Sequence, residues 1–323
     1  MNVAKLRALK LEISITLVLG AVFLLFLIGN PMVFTQFNIY YSFMSTIPFF
    51  GMMALALTFV VTLGEMDLSF PSVLAFSVWV FGKVFVSTGN IWLGVLACFA
   101  IGLIAGALNS LLVVKIGIPS LVATIGTMFF FRGLVNVFAQ GKGISLVAAK
   151  GSIFYMLCVG RISLTENINI PAQAIWFLLL GIGAWALLKR HRFGSHVLFV
   201  GDNPDSAHMM GINVGRVKTL VFMLMGLVAA FSGILSTLEV TYFWPSQGEG
   251  YLLMTIAAVF VGGTSVFGGM GTIYGTFIGA LIIGSLEAGI IAIGLTGFWT
   301  KVIYGFIIMV SVSIYSIILK KRR

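Results

Sequence analysis

Long apolar segments alternate with short polar ones along most of the chain. Ten of these segments can cross a bilayer as helices, because one crossing takes roughly 20 apolar residues. They are residues 13–29, 42–63, 72–88, 92–114, 120–138, 172–188, 219–238, 251–267, 273–293 and 299–318. The pattern predicts an all-α polytopic membrane protein of about ten transmembrane helices, forming a single transmembrane domain over residues 1–323.

Two polar or glycine-rich stretches interrupt this pattern. Residues 61–72 read Val-Thr-Leu-Gly-Glu-Met-Asp-Leu-Ser-Phe-Pro-Ser, and residues 262–271 read Gly-Gly-Thr-Ser-Val-Phe-Gly-Gly-Met-Gly. Non-helical backbone at membrane depth is tolerated only where protein or water satisfies it. Broken or re-entrant helices are therefore expected here, and eight spans plus re-entrant pieces is the alternative count.

The first apolar segment follows basic residues and so has the outline of a secretory signal. No small-x-small cleavage site follows it, since the chain continues Gly-Asn-Pro-Met. We interpret this segment as a retained first transmembrane helix.

Composition and charge placement support a membrane protein and set its orientation. The chain is 60% hydrophobic and only 9% charged, which excludes a soluble enzyme and a nucleic-acid-binding domain, despite a net charge of +10. The basic residues cluster near the N-terminus, within residues 189–218 and at the C-terminus. Because Lys- and Arg-rich loops stay inside, we expect both termini and residues 189–218 in the cytoplasm and residues 139–171 outside, in the inner membrane.

No enzyme constellation is present in the sequence. The three histidines all lie in one basic loop, and the two cysteines, Cys98 and Cys158, suggest neither a disulfide nor a metal site. No Gly-rich loop ends in Lys-Ser or Lys-Thr, so the motif that binds ATP phosphates is missing. We therefore expect a non-catalytic chain without a metal site. If ATP drives its transport, another chain must bind the nucleotide.

The cytoplasmic stretch 189–218 contains the signals of one short helix. Asp202 or Asn203 can cap its start, Pro204 fits its first position, and Gly211 can end it. The sequence predicts about two helical turns lying parallel to the membrane between two spanning helices.

Polar residues in apolar surroundings are the candidates for a translocation path, because each is costly there. Glu65, Asp67 and Ser69 allow two interpretations: Asp67 or Ser69 caps the next helix while Glu65 faces the cytoplasm, or a broken helix lines the path. Asn109 is an interhelical hydrogen-bonding residue or a contributor to that path. Arg132 is expected to snorkel to the outer interface.

Residues 242–251, Tyr-Phe-Trp-Pro-Ser-Gln-Gly-Glu-Gly-Tyr, are expected outside the membrane. Aromatic faces stack on sugar rings, so Trp244 and Gln247 are candidate external contacts. The alternative is an ordinary interfacial aromatic belt.

Four segments, in order, resemble the inner-membrane permease subunits of ribose-type ABC sugar importers. They are residues 61–72, residues 118–133 with Ile-Pro-Ser-Leu-Val-Ala-Thr-Ile-Gly-Thr-Met and Arg-Gly, residues 201–214, and residues 262–276. The resemblance implies that residues 203–213 dock on an ATPase subunit, through Asn203, Pro204, Asp205, Ala207, Gly211 and Ile212. It also places Thr264 and Ser265, like residues 65–69, near the translocation path.

The resemblance further implies the partners and the substrate. The partners are an ABC ATP-binding subunit, an extracytoplasmic sugar-binding protein and a second permease subunit, identical or different. This chain binds no cofactor itself, and ATP and magnesium belong to the ATPase subunit. The expected substrate is a monosaccharide, with a permease for amino acids or nucleosides and an ion-coupled secondary transporter as the alternatives.

The chain departs from the family pattern at several positions. Leu252, Leu253 and Met254 stand where the family usually has a Glu-x-Asp pair, Glu65 replaces a usual glycine, and Pro71 replaces another. Two interpretations of the lost carboxylates are open: an altered choice of sugar, or a subunit specialised within a heterodimer.

Overall fold

A computed structural model describes residues 3–165, 168–292, 294 and 296–320. The basic residues at 321–323, part of the expected cytoplasmic C-terminus, lie outside this range. The helices are α1 (Val3–Gly29), α2 (Pro31–Phe34), α3 (Phe37–Thr62), α4 (Phe70–Thr88), α5 (Ile91–Ser110), α6 (Ser120–Ala139), α7 (Ile153–Val159), α8 (Ala172–Lys189), α9 (Arg192–Asp202), α10 (Pro204–Met209), α11 (Val214–Val240), α12 (Tyr251–Val261), α13 (Ile273–Ala292) and α14 (Trp299–Lys320).

The predicted all-α polytopic fold is confirmed. Within the described part of the chain, eight helices are long and apolar enough to cross a membrane, namely the α1 part Glu12–Gly29, α3, α4, α5 with its continuation to Ile116, α6, α8, α11 and α13. The other two predicted spans also contain apolar helices, but α12 has only 11 residues. At 1.5 Å per residue it rises only about 16 Å, so it crosses half of the hydrocarbon core.

Short strands cover one end of the helix bundle. β2 (Arg161–Thr165) and β3 (Ile168–Pro171) form an antiparallel hairpin, and β1 (Ile144–Ser145) pairs with β4 (Tyr242–Phe243). We call this end the hairpin end. The opposite end carries α9 and α10 and is called the basic end.

Helix α3 is the centre of the bundle. Nearly every residue from Ile47 to Thr62 is buried, and α3 packs against α8, α11, α12 and α13. The neighbouring pair α5 and α11 approaches closely at Gly102, Gly106 and Gly226, where an added Cβ would overlap the facing backbone. Small residues at such crossings let membrane helices gain van der Waals contact that side chains would prevent.

The stretch 189–218 is more helical than predicted. The short helix α10 is present, but α9 precedes it and α11 begins at Val214, capped by Asn213, whose Oδ1 accepts from the Arg216 amide at 2.9 Å. The sequence pattern missed α9 because this helix is amphipathic rather than uniformly apolar, with Gly194, Val197 and Val200 on its buried side.

Candidate functional site

Helices α3 and α12 end at the basic end in the same way. In α3 the Gly64 amide bonds the Val61 carbonyl at 2.9 Å and the Glu65 amide bonds the Val60 carbonyl at 3.2 Å. In α12 the corresponding bonds are Gly263 to Phe260 at 2.9 Å and Thr264 to Val259 at 3.3 Å. This pattern needs a left-handed residue at the turn, and only glycine adopts it without strain. Gly64 has φ +76° and Gly263 has φ +83°.

Each helix end leads into an irregular segment before the next helix begins. We call residues 63–69, between α3 and α4, the first break, and residues 262–272, between α12 and α13, the second break. The expectation that neither stretch is continuous helix is confirmed by these assignments. Both breaks lie at the basic end of the bundle and contact each other: Gly269 donates to the Thr62 carbonyl at 2.9 Å, and a Cβ on Gly268 would lie 2.9 Å from the Gly64 nitrogen.

Asp67, in the first break, is the centre of a buried hydrogen-bond network. Its Oδ1 accepts from both the amide and the hydroxyl of Ser69 at 2.7 Å, and the Asn109 Nδ2 donates to Ser69 Oγ at 2.8 Å and to Asp67 Oδ2 at 3.3 Å. Thr127 then donates to Asn109 Oδ1 at 2.6 Å. All four side chains are at most 4% exposed. We call these four residues the Asp67 cluster.

The cluster joins the first break to two neighbouring helices. Asn109 comes from α5 and Thr127 from α6, and the Met66 amide of the first break donates to Ser120 Oγ of α6 at 3.0 Å. The carboxylate thus holds Ser69, the residue that precedes α4, whereas no side-chain hydrogen bond caps α4 itself. Asp67 lies in the break between α3 and α4, as the broken-helix interpretation expects, and that this break lines the path stays a prediction.

Glu65 does not belong to the Asp67 cluster. Its carboxylate forms an ion pair with Lys218 of α11, and the two side chains are 14% and 20% exposed. The interpretation that Glu65 faces the cytoplasm stays a prediction, and the structure adds that its carboxylate is paired with Lys218. The sequence held no local signal for this pairing, since the partners are 153 residues apart.

Thr264 and Ser265 organise the second break itself. Thr264 Oγ1 accepts from the Thr272 amide at 3.5 Å, and Ser265 Oγ accepts from the Phe267 amide at 3.2 Å. Both residues are buried. Among the described residues no hydrogen bond joins them to the Asp67 cluster, so the two groups of candidate path residues meet only through the backbone near Gly64 and Gly268.

The predicted short helix α10 lies beside this junction. Asn203, not Asp202, is its cap: Asn203 Oδ1 accepts from the Ser206 amide at 2.9 Å. Gly211 follows the helix with φ +80°, and the Ile212 amide bonds the Ala207 carbonyl at 3.1 Å. Ala207 and Ile212 face the bundle and are buried, whereas Pro204 and Asp205 are exposed.

The residues following β4 dip into the bundle instead of lying outside it. Gln247 is only 2% exposed, and its Nε2 donates to Ser236 Oγ at 2.9 Å and Thr237 Oγ1 at 2.6 Å on α11. Gln247 is therefore turned away from the exterior, which contradicts the expectation of an external contact. Trp244 is 38% exposed and keeps the position expected of an interfacial aromatic residue.

Arg132 holds residues 244–250, between β4 and α12, which we call the re-entrant segment. Its guanidinium donates to the carbonyl oxygens of Pro245 at 2.7 Å, Gln247 at 3.2 Å and Pro71 at 3.5 Å. That Arg132 snorkels to the outer interface stays a prediction, and the structure adds that its guanidinium binds backbone carbonyls of residues 245 and 247. A cation that follows three phenylalanines can be satisfied by the carbonyl oxygens that a re-entrant backbone leaves without hydrogen bonds. The sequence signal for this role was the position of an arginine inside an apolar helix.

A second ion pair fastens the hairpin end. Arg161 of β2 pairs with Glu239 near the end of α11, and Gln173 also donates to Glu239, at 3.0 Å. Partial burial lowers the pKa of Arg161, but the hydrogen bond and charge of Glu239 outweigh this effect and raise the pKa above its ordinary value. Arg161 therefore stays charged at every physiological pH.

The described residues contain no group of three or more His, Cys, Asp or Glu side chains placed to hold a metal ion. Cys98 and Cys158 are both free and buried. Burial raises the pKa of the Cys158 thiol to about 12, so this side chain is a neutral thiol near pH 7.

Broken helices that meet at one end of a polytopic bundle are typical of membrane transport proteins. Comparison with known proteins supports a membrane transport protein. Residues 39–312 match the family described as "Branched-chain amino acid transport system / permease component". The chain belongs to this family.

Its relatives are permeases of importers. The ribose import permease protein RbsC of Bacillus subtilis (strain 168) is 35% identical over 262 residues, covering 81% of this chain and 80% of that protein. The L-arabinose ABC transporter permease protein AraH of Azospirillum brasilense is 32% identical over 262 residues, covering 81% and 75%. The autoinducer 2 import system permease protein LsrC of Enterobacter sp. (strain 638) is 31% identical over 259 residues, covering 80% and 73%. No solved structure matches the chain.

Proposed function

We propose that this chain is the membrane-spanning permease subunit of an ABC importer that moves a monosaccharide, such as a ribose-like pentose, a hexose or a related sugar, across the inner membrane. The names of its relatives, which import ribose, L-arabinose and autoinducer 2, support this substrate class. The observation that carries the proposal is α10, an exposed short helix that directly follows Gly201 and Asp202 of α9, which lie against the junction of the two breaks.

In this proposal α10 is the docking site of a separate ATPase subunit, which binds ATP and magnesium and performs the hydrolysis. Asn203 and Gly211 fix the two ends of the helix, Ala207 and Ile212 anchor it to the bundle, and Asp205 faces the partner. A short helix held in this way moves as a unit when the partner moves. Such movement alters the junction of the two breaks and so switches access to the path, an allosteric coupling between separate sites.

The candidate path residues belong to two groups in the proposal. Asp67, Ser69 and Asn109 present polar groups between α4, α5 and α6, while Thr264 and Ser265 shape the second break. Discontinuous helices of this kind commonly border substrate paths in transporters. Residues 189–218 face the cytoplasm, and residues 139–171 face the exterior. A sugar-binding protein releases its bound sugar to the permease on that outer side. A second permease subunit, identical or different, completes the passage.

A permease for amino acids is the second candidate, because the family description names branched-chain amino acids. Nucleosides are a further possible cargo of related permeases. An ion-coupled secondary transporter would need a relay of acidic groups through the membrane. In the described part of the chain, Asp67 is the one acidic residue that is fully buried, and its carboxylate is occupied by three hydrogen-bond donors.

Reconstitution distinguishes these candidates. The permease is placed in proteoliposomes with its ATPase subunit and with binding protein loaded from a panel of sugars, amino acids and nucleosides. We expect uptake of one sugar that requires both partners and ATP, and no ATP hydrolysis by the purified permease alone. Uptake without an ATPase, or uptake of amino acids but no sugar, would contradict the proposal.

A further inference from the structure

The Glu65–Lys218 ion pair joins the first break to the first turns of α11. Only two ion pairs are present among the described residues, and this one lies at the basic end. With side-chain exposures of 14% and 20%, the pair is shielded from bulk water, so its attraction is screened less than that of a surface pair. A charged side chain that is partly removed from water is destabilising unless it has a partner of opposite charge.

A second contact lies next to the first break in the chain. Gly201, in the last turn of α9, lies against the end of α3: an added Cβ would overlap the Thr62 carbonyl oxygen and lie 2.8 Å from the Gly269 nitrogen of the second break. Because the chain runs from α9 through α10 to α11, the helix α10 lies between these two contacts along the chain. The segment that carries α10 is therefore tied to the end of α3 before it and to the first break after it.

The first break passes movement on to the Asp67 cluster over a very short distance. Glu65 is two residues from Asp67, and the intervening Met66 is bonded through its amide to Ser120 at 3.0 Å. Because two residues span only a few ångströms (about 7 Å when extended), a displacement of Glu65 moves either the Asp67 carboxylate or the Met66–Ser120 hydrogen bond.

We propose that Glu65 and Lys218 are positioning residues that transmit movement of α10 to the Asp67 cluster. This inference rests on the proposed function, since it assumes that α10 receives the ATPase. The two residues do not contact the sugar. Their pairing makes the start of α11 and the first break move as one body, so that ATP hydrolysis and the opening of the path remain linked.

The test compares Glu65→Gln, Lys218→Gln and the charge-swapped double variant Glu65→Lys/Lys218→Glu with the unmodified protein. Arg216→Gln is the matched control, because Arg216 is exposed in the same turn of α11 and forms no ion pair among the described residues. In proteoliposomes with both partners, two quantities are measured: ATP hydrolysis stimulated by loaded binding protein, and sugar imported per ATP hydrolysed.

We expect the single variants to keep most of their stimulated hydrolysis while sugar imported per ATP falls at least about fivefold, the scale of a typical coupling energy. The swapped variant should recover most of the lost coupling, and Arg216→Gln should retain it. An unchanged ratio in the single variants, a proportional loss of uptake and hydrolysis, or a folded swap variant as uncoupled as the single ones would overturn the inference.

A second measurement needs no partner and separates this inference from the proposed function. Amide hydrogen exchange of the permease alone in lipid nanodiscs should become at least about fivefold faster over residues 63–69 in each single variant and return toward the original rate in the swap. Unchanged exchange there would refute the positioning role. Failure of the unmodified complex to import any sugar would instead refute the proposed function.

Discussion

At the scale of single residues, the buried polar groups of this protein are used to hold irregular backbone in place. Asp67 satisfies the donors at the start of α4, and Arg132 satisfies the carbonyls of the re-entrant segment. In a membrane there is no water to perform these tasks, so each such side chain replaces several missing backbone hydrogen bonds. Two predictions follow from the residues that complete these networks.

Asn109→Ala should destabilise the protein by about 1–3 kcal/mol, because it removes the donor that Asn109 supplies to the buried Asp67 Oδ2 and Ser69 Oγ and one acceptor of Thr127. The free energy of unfolding in detergent micelles measures this effect. Asn136→Ala is the control, since Asn136 is exposed and makes no side-chain hydrogen bond among the described residues. Equal changes in the two variants would show that the Asp67 cluster does not stabilise the fold.

Arg132→Lys should loosen the re-entrant segment even though the charge is kept. A single ammonium group lacks the planar fork that lets Arg132 reach the carbonyls of Pro245, Gln247 and Pro71 together. We expect amide exchange over residues 245–251 to rise at least about fivefold. Arg190→Lys, at the far end of α8, should leave that exchange unchanged, and a protected segment in Arg132→Lys would disprove the role of the guanidinium.

At the scale of elements, the ends of helices α3 and α12 form the candidate functional site, and the helix interiors form the surrounding bundle. Helices α3 and α12 stop on the same hydrogen-bond pattern, each with a left-handed glycine, and the two breaks then meet beside α9. In sequence the two stretches share little beyond the glycine of this turn. Beyond the shared turn, Asp67 organises one break and Thr264 with Ser265 the other.

Gly211→Val should uncouple hydrolysis from uptake while leaving membrane insertion intact. A β-branched residue at φ +80° is strained and would shift the end of α10. The control is Gly211→Asn, because asparagine tolerates the left-handed conformation and should keep uptake near the original rate. Stimulated ATP hydrolysis and sugar uptake are measured together in proteoliposomes. Normal uptake by Gly211→Val would count against α10 as the coupling helix.

At the scale of the whole molecule, the polar features are distributed between two ends with different character. The basic end carries α9, α10 and the junction of the breaks, and the hairpin end carries β1–β4, α7 and the Arg161–Glu239 pair. Basic loops are retained inside during insertion, so we expect the basic end to face the cytoplasm.

Cysteine labelling in intact cells checks that orientation. A cysteine replacing Met209, which is 85% exposed, should react with an impermeant maleimide only after the inner membrane is opened, whereas a cysteine replacing the exposed Ser163 should react once the reagent reaches the outer side of that membrane. The native cysteines give a low background, because both are buried and Cys158 stays protonated. Labelling of Met209→Cys from outside would invert the proposed topology.

The sequence by itself determined most of the spanning helices, the two breaks and the short helix before Gly211, because each depends on a run of neighbouring residues; the structure decided that Asn203 caps this helix. Apolar runs, a cap followed by proline and a glycine after a helix act over a few residues and can be read directly. The four family-like segments likewise pointed to a permease before any contact was known. Only the tertiary structure decided which polar side chains meet.

Asn109 and Asp67 are 42 residues apart in the chain, and Lys218 and Glu65 are 153 apart. Nothing near either member of a pair specifies its partner. The same is true of Arg132, whose acceptors are backbone carbonyls that any sequence carries, and of Gln247, which the re-entrant backbone turns inward. Such contacts arise from how the helices pack, and packing is a property of the whole chain.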